Sequence, residues 1–403
     1  MKVIIIGAGI AGLATALMLE REGIRADLYE QSPEIRELGV GINVLPQAIT
    51  ELTRLGLLAD LEENGVRNRE LVYFTRRGQE VWREFRGQFA GHDAPQFSIH
   101  RGRLQGLIAR SVHERFGANR VHQNHRLIGY RNEGDSVMAQ FTDASGRSLP
   151  PVRADLLIGA DGIHSAVRAQ MHPDEGKPRW SGAIIWRGAS EWPAFLDGQT
   201  MFIGGGLLGK AVVYPIAPGE GKDNRLTNWA IVQKVGERDD PMPVRQDWSV
   251  SGQRGELLPL LDQFELPGVD LIGLVSSARE VWQYPMCDRD PLDGWSEGRA
   301  TLIGDAAHPM YPVGSNGASQ AILDARALAD ALLAESDPLA ALSRYESQRV
   351  AATASIVLAN RRGGPEEVID AVEALAPDGF TDIDAVLPFQ DRQQIVRGIR
   401  KVS

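Results

Sequence analysis

The chain has 403 residues, of which 43% are hydrophobic and 24% charged, and a formal net charge of −10. That length supports two or three subdomains around a substantial core, and that composition excludes both disorder and the membrane class. The negative balance, without a long Lys/Arg block, excludes phosphate-backbone binding as the main activity. The single cysteine, Cys287, excludes an intrachain disulfide and a multi-thiolate metal site, and reads as a small buried apolar residue. No nucleic acid, membrane or metal partner is expected, and the expected location is cytoplasmic.

The chain opens MKVIIIGAGIAGLATALMLE. A lysine, an apolar run and Ala14-Thr15-Ala16 form one pattern, that of a secretory signal with a small-residue cleavage site. Gly7, Gly9 and Gly12 form another, GxGxxG between a strand and a helix, with Ala11 inside the same turn. Cleavage after Ala16 would delete all three glycines. Glu30 ends the second predicted strand eighteen positions after Gly12 (30 − 12), close to the roughly 20 at which an acid meets an adenosine ribose. The dinucleotide cradle is therefore the expected reading. Gly9 lets backbone approach a pyrophosphate, Gly12 lets the helix pack close to the strand, and the helix N-terminus faces the negative charge.

Residues 3–31 thus read as strand, Gly turn, helix, strand, after which a loop and a helix interrupt the regular alternation. Residues 71–97 carry a strand-turn-strand pattern. Strand-and-turn signals return at ADLLIGADGIHSAVRAQM (154–171) and RATLIGDAAHPMYPVGSNGASQ (299–320). Between them, short β-branched and aromatic segments such as GAIIWRGA, TMFIGGG, KAVVYPIA and TNWAIVQKV alternate with Gly and Pro breaks. From about 338 onward the pattern is helical, with a GGP break at 363–365. The fold class expected is α/β: a discontinuous Rossmann-like nucleotide-binding domain (1–70, 98–177 and 276–350), an inserted, mainly β-sheet substrate domain (71–97 and 178–275), and C-terminal helices (351–403).

LIGDAAH distinguishes the dinucleotides. FAD presents a ribityl chain whose hydroxyls Asp305, at a strand end, can accept, and an isoalloxazine edge that becomes negative on reduction. The following Gly-rich turn opens a helix, so N–H groups at Gly317 and Ala318 are placed to stabilise that edge. An ordinary helix N-cap is the other role open to Asp305.

Taken together, the Gly turn, GADGIHSAVR at 159–168 and GDAAHPMYP at 304–312 resemble the single-component FAD-dependent aromatic hydroxylases typified by para-hydroxybenzoate and salicylate hydroxylases. The likeness covers about residues 1–350. Shorter strings, GVGINVLPQA, SIHRGRLQ, WRG, QYPMCDRDPL and MYPVGSNGASQAILD, look like the phenazine-carboxylate hydroxylase branch. The resemblance implies that Glu30 holds the adenosine ribose, Arg36 approaches the pyrophosphate, Arg101 contacts FAD from its helix and Asp161 sits near the pyrophosphate. Pro312 lies at the cofactor in the same motif, and His308 packs beneath it as a structural residue. Arg36 and Arg101 are otherwise solvated cations. Gly39 and Gly41 in ELGVGINVLP supply permissive backbone where the isoalloxazine must move, or a plain tight turn.

The chemistry implied is that of non-covalent FAD reduced by transiently docked NADH or NADPH. A flavin C4a-hydroperoxide then transfers oxygen to a small aromatic or N-heteroaromatic ring, phenolic or carboxylated, with or without decarboxylation. Salicylate-type members carry a histidine five residues before the proline of a YP strand; here that position is Lys210. A lysine there pairs with a substrate carboxylate, acts as a desolvated neutral base, or points to solvent, and all three stay open. Tyr214 and Arg187 are the other substrate-side candidates, and Trp186 reads as core. The competing readings are a flavoprotein of another oxygenation or reduction, and a flavin-binding protein without turnover.

Overall fold

Val3, Ile4, Ile5 and Ile6 are β-branched and buried on both faces, the pattern of a central strand in a covered parallel sheet. In the computed structural model, which describes residues 1–34, 40–207, 209–242 and 250–398, the strand Lys2–Ile6 pairs in parallel with Arg25–Tyr29 and Leu156–Gly159. The six strands run Ser296–Glu297, Ala300–Leu302, Leu156–Gly159, Lys2–Ile6, Arg25–Tyr29, Val121–His122, and only the first pair is antiparallel. Helices Ile10–Arg21, Arg101–Phe116 and Gly317–Ala334 close the core: Leu13, Leu17, Leu104, Ile108, Ile322 and Leu328 pack with the strand residues. A three-stranded antiparallel sheet, Arg126–Glu133, Ser136–Thr142 and Val152–Ala154, joins the same core through Leu127, Val137 and Phe141.

The second half is a seven-stranded mixed sheet ordered Trp282–Asp288, Arg179–Pro193, Asn224–Lys234, Gly209–Pro218, Thr200–Gly206, Glu70–Thr75, Glu80–Phe85. The period of two in its strands sends alternate side chains to two environments. Ile184, Trp186, Ala211, Val213, Trp229 and Ile231 pack against helices Arg254–Leu261 and Leu271–Ser276, so Trp186 is a core residue. On the other face lie Ile185, Arg187, Lys210, Val212, Tyr214 and Ala230. The register stacks them in rows: Ile185 beside Val232 and Lys210, Arg187 beside Ala230 and Val212, Ala189 beside Asn228 and Tyr214.

The structure departs from the expected boundaries in three places. The strand Trp282–Asp288, expected in the nucleotide-binding half, pairs along Arg179–Arg187 as an edge of the seven-stranded sheet. Residues 254–276, expected in a sheet, are mostly helical: Leu257, Leu260 and Leu261 share one helix face, and Asp270 caps the next helix by accepting from Gly273 N–H at 2.8 Å. The helix Pro338–Arg361 runs through the boundary placed at 350. Beyond it, Gly363 at φ 97° breaks the chain, and Glu367–Leu375 packs Val368, Ile369 and Val372 onto Tyr73, Val81 and Ile203. A small sheet, Gly41–Val44, Phe97–His100 and Gly65–Arg67, touches both the strand Gly209–Pro218 and the helix Gly317–Ala334. Among the described residues no helix is long and apolar enough to cross a membrane.

Candidate active site

A cavity of about 1400 Å³ runs from the first Gly turn to the inner face of the seven-stranded sheet. It is lined by Gly7, Gly9, Ala11, Glu30, Gly41, Arg101, Asp161, Arg187, Lys210, Tyr214, Asp305, Pro312, Gly317 and Ala318. Arg36 and Gly39 lie outside the described residues. The expected site residues thus converge on one space, from segments spread over three hundred positions of sequence.

The three glycines of the first turn meet different constraints. Gly7 has φ 103°, and a Cβ there would lie 2.5 Å from the Ala160 carbonyl oxygen. A Cβ on Gly12 would lie 2.0 Å from the Gly7 carbonyl oxygen, so its absence is what lets the helix approach the strand. Gly9 has φ −74°, and a Cβ there would meet nothing within 4 Å. Gly317, which opens the helix Gly317–Ala334, likewise faces open space. Two helix N-termini therefore line the cavity with no side chain over them, the kind of position that receives phosphate or another negative group. Glu30 braces the turn, accepting from Ala8 N–H and Ser32 N–H, each at 2.8 Å.

Arg101 and Asp305 face the same space; the Arg101 N–H donates to the Val40 carbonyl at 2.9 Å, and neither side chain makes a hydrogen bond among the described residues. Burial raises the Asp305 pKa against the pull of His308 and Arg101, and burial lowers that of Arg101 against the pull of Asp305. Asp161 is already engaged. It accepts from Ser165 O–H at 2.5 Å and Ala166 N–H at 2.6 Å, anchoring the turn into the helix Ala166–Met171. His308 is buried against Trp295, and its Nε2 lies 2.5 Å from Asp324. Asp324 also accepts from Arg349 at 2.7 Å and Gly304 N–H at 3.1 Å. This buried cluster pins the Asp305 turn to the helix behind it.

At the sheet end the candidates are each engaged by the chain itself. Lys210, with its side chain 15% exposed, donates to Asp370 at 2.8 Å and lies 4.0 Å from Glu366. Burial works to lower its pKa, but Glu366 and Asp370 outweigh burial and raise it, which favours the charged ammonium over a neutral base. Its burial sets it apart from a solvated surface lysine, and the carboxylates of its own chain already take up part of what the ammonium can donate. Tyr214 O–H donates to the Gly41 carbonyl at 2.9 Å. Arg187 donates to the same carbonyl, and to the Tyr284 hydroxyl at 2.9 Å.

Gly41 itself differs from expectation. It begins a strand rather than a permissive loop, and a Cβ there would lie 2.6 Å from Ile216 and 2.7 Å from Asn228. The residue is glycine for close approach to the sheet. Asn228, Tyr284, Glu366 and Asp370 were not anticipated. Asn228 carried a signal, as the polar member of the inward set Asn228, Ala230, Val232 in TNWAIVQ; the acids, 160 residues from Lys210 in the case of Asp370, carried none.

A family model described as FAD binding domain matches residues 1–184 and 277–359. The phenazine 1,6-dicarboxylic acid hydroxylase of Lysobacter antibioticus is 42% identical over 363 residues, 89% of each chain. The 3-hydroxybenzoate 6-hydroxylase 1 of Aquipseudomonas alcaligenes is 33% identical over 88% of this chain and 86% of its own. Among solved structures, Klebsiella pneumoniae HpxO with FAD and uric acid shares the fold at a TM-score of 0.77, with 24% identity over 99% of this chain and 95% of that one.

Proposed function

The chain belongs to the FAD-dependent aromatic monooxygenases, and from that premise we propose that its substrate is a small, flat, carboxylated or phenolic aromatic or N-heteroaromatic compound, with phenazine carboxylates first in line. The observation that carries the reading is one continuous cavity. Its cofactor end holds the open positions Gly9 and Gly317 with Arg101 and Asp305, whose side chains make no hydrogen bond among the described residues, and its other end is the largely apolar sheet face. Those features fit FAD: a cradle that side chains leave clear, a carboxylate for ribityl hydroxyls and a cation beside it. When bound, FAD supplies hydride acceptance from NADH or NADPH and the activation of O2.

The chain's own residues bind, orient and exclude water. The N-terminus of Ile10–Arg21 would receive the FAD pyrophosphate, and that of Gly317–Ala334 would favour negative charge on the isoalloxazine edge. Ile185, Met201, Ile203, Val212 and Ala230 give the substrate side a dry apolar wall, which keeps activated oxygen from being lost to water. In this reading the six-stranded half holds the cofactor and the seven-stranded half the aromatic substrate, in a cytoplasmic enzyme supplied with nicotinamide reductant. The test is NADH and NADPH consumption with and without phenazine carboxylates, hydroxybenzoates and hydroxynicotinates, followed by product mass. Stimulated oxidation with a product carrying one added oxygen is the expected result; oxidation indifferent to every aromatic contradicts the proposal.

A further inference from the structure

The two substrate-side candidates Tyr214 and Arg187 meet at one backbone carbonyl. Tyr214 O–H and Arg187 both donate to the Gly41 carbonyl, while the Gly41 N–H donates to Asn228 Oδ1 at 2.8 Å. Tyr214 and Asn228 are directly opposed on neighbouring strands, and Arg187 lies one row away, so the three side chains rise from one patch of the sheet. They hold both ends of a single residue. Gly41 lacks the Cβ that would push the patch away.

The strand they hold is tied on its far side to the cofactor end. Asn43 Nδ2 donates to Ser315 Oγ at 3.2 Å, and Leu45 N–H donates to Ser319 Oγ at 2.9 Å. Ser315 and Ser319 flank the start of the helix Gly317–Ala334, whose open N-terminus faces the cavity. A short hydrogen-bonded path therefore links the inner face of the sheet, through Gly41–Val44, to the helix terminus proposed for the reactive ring of FAD.

We infer that Tyr214, Asn228 and Arg187 are positioning residues: they clamp the Gly41–Val44 strand so that the sheet sets the seat of the redox-active end of the cofactor. The inference rests on the FAD reading above. It assigns Tyr214, Asn228 and Arg187 to geometry. A buried hydrogen bond between packed elements adds little net stability but fixes relative position, and a small misplacement of reacting groups is costly in rate.

The test compares FAD-loaded wild type with Tyr214→Phe and Asn228→Ala, and with Ser190→Ala as control. Ser190 makes a buried hydrogen bond to the Leu274 carbonyl from a strand of the same sheet, away from the cavity. FAD affinity, the visible circular dichroism of the bound flavin and its anaerobic reduction rate at saturating NADH or NADPH are measured. Tyr214→Phe and Asn228→Ala are expected to keep FAD affinity within about threefold, alter the flavin dichroism and slow reduction by about tenfold; Ser190→Ala is expected to match wild type. Dichroism and reduction rates indistinguishable from wild type in both clamp variants overturn the inference, as does an equal change in Ser190→Ala. Tyr214→Phe removes a single hydroxyl, so it decides the matter if Asn228→Ala fails to fold. A wild-type protein that takes up no FAD overturns the underlying reading as well, and is recognised before any variant is made.

Discussion

The two ends of the cavity differ in how far their polar groups are already satisfied. At the cofactor end Gly9 and Gly317 face empty space, and the side chains of Arg101 and Asp305 make no hydrogen bond among the described residues. At the sheet end Lys210, Arg187 and Tyr214 are each engaged by the chain itself. Most buried polar groups are paired in native proteins, so a cavity side chain without any hydrogen bond marks where a ligand completes the structure, and one bonded within the chain marks where the protein holds itself. That contrast separates residues that bind from residues that hold.

The glycines sharpen it most. Gly12→Ala is expected to abolish folded, FAD-loaded protein, because its Cβ would sit 2.0 Å from a backbone oxygen and overpacking against rigid backbone exceeds the roughly 1–3 kcal/mol typical of yielding cores. Expression followed by FAD content checks this.

Next in size is Lys210→Met. Removing the cation leaves Asp370 and Glu366 facing each other in a largely buried setting, a change expected to cost about 3 kcal/mol of stability. Denaturant unfolding reads it directly. A large rise in KM for carboxylated substrates alone, with stability intact, would restore a substrate role to Lys210.

Glu30→Ala removes the acceptor of two backbone N–H bonds at the Gly turn, and FAD binding is expected to weaken by about 1–3 kcal/mol. Isothermal titration with FAD measures it.

Asp305 gives a pH signature. Burial raises its pKa before FAD binds, while ribityl hydroxyls favour the ionised form, so binding releases a proton. FAD affinity should therefore fall as the pH drops through the raised Asp305 pKa, and Asp305→Asn should flatten that dependence. A parallel fall in the variant would contradict the assignment.

The smallest effect is chemical silence at Cys287. Burial pushes its thiol up to about 12, so it should resist alkylation at pH 8 in the folded protein and react once unfolded.

Sequence spacing revealed the parts of the molecule whose constraints are local. The Gly turn, Glu30 and the turn opening the helix Gly317–Ala334 each encode their geometry within about thirty residues, and alternation marked the strand Arg179–Pro193, including which way Trp186 faces. Lys210 was legible as a departure from a pattern but not as an ion pair, because Glu366 and Asp370 come from a C-terminal segment brought alongside only by tertiary packing. Gly41 was visible as a glycine and misassigned in cause: its neighbours Ile216 and Asn228 lie more than 170 residues away. The strand Trp282–Asp288 changes sheet for a similar reason, since pairing with Arg179–Arg187 is decided across a hundred residues.

The difference between the two ends of the cavity is tested most directly by titrating FAD into apo-protein carrying Gly9→Ala or Gly317→Ala. Neither methyl group meets protein within 4 Å, so the Tm without FAD should match wild type, while the Kd for FAD should rise by about tenfold or more as the methyl occupies space the cofactor needs. An unchanged Kd in both variants would show that these helix termini do not receive FAD, and would contradict the account.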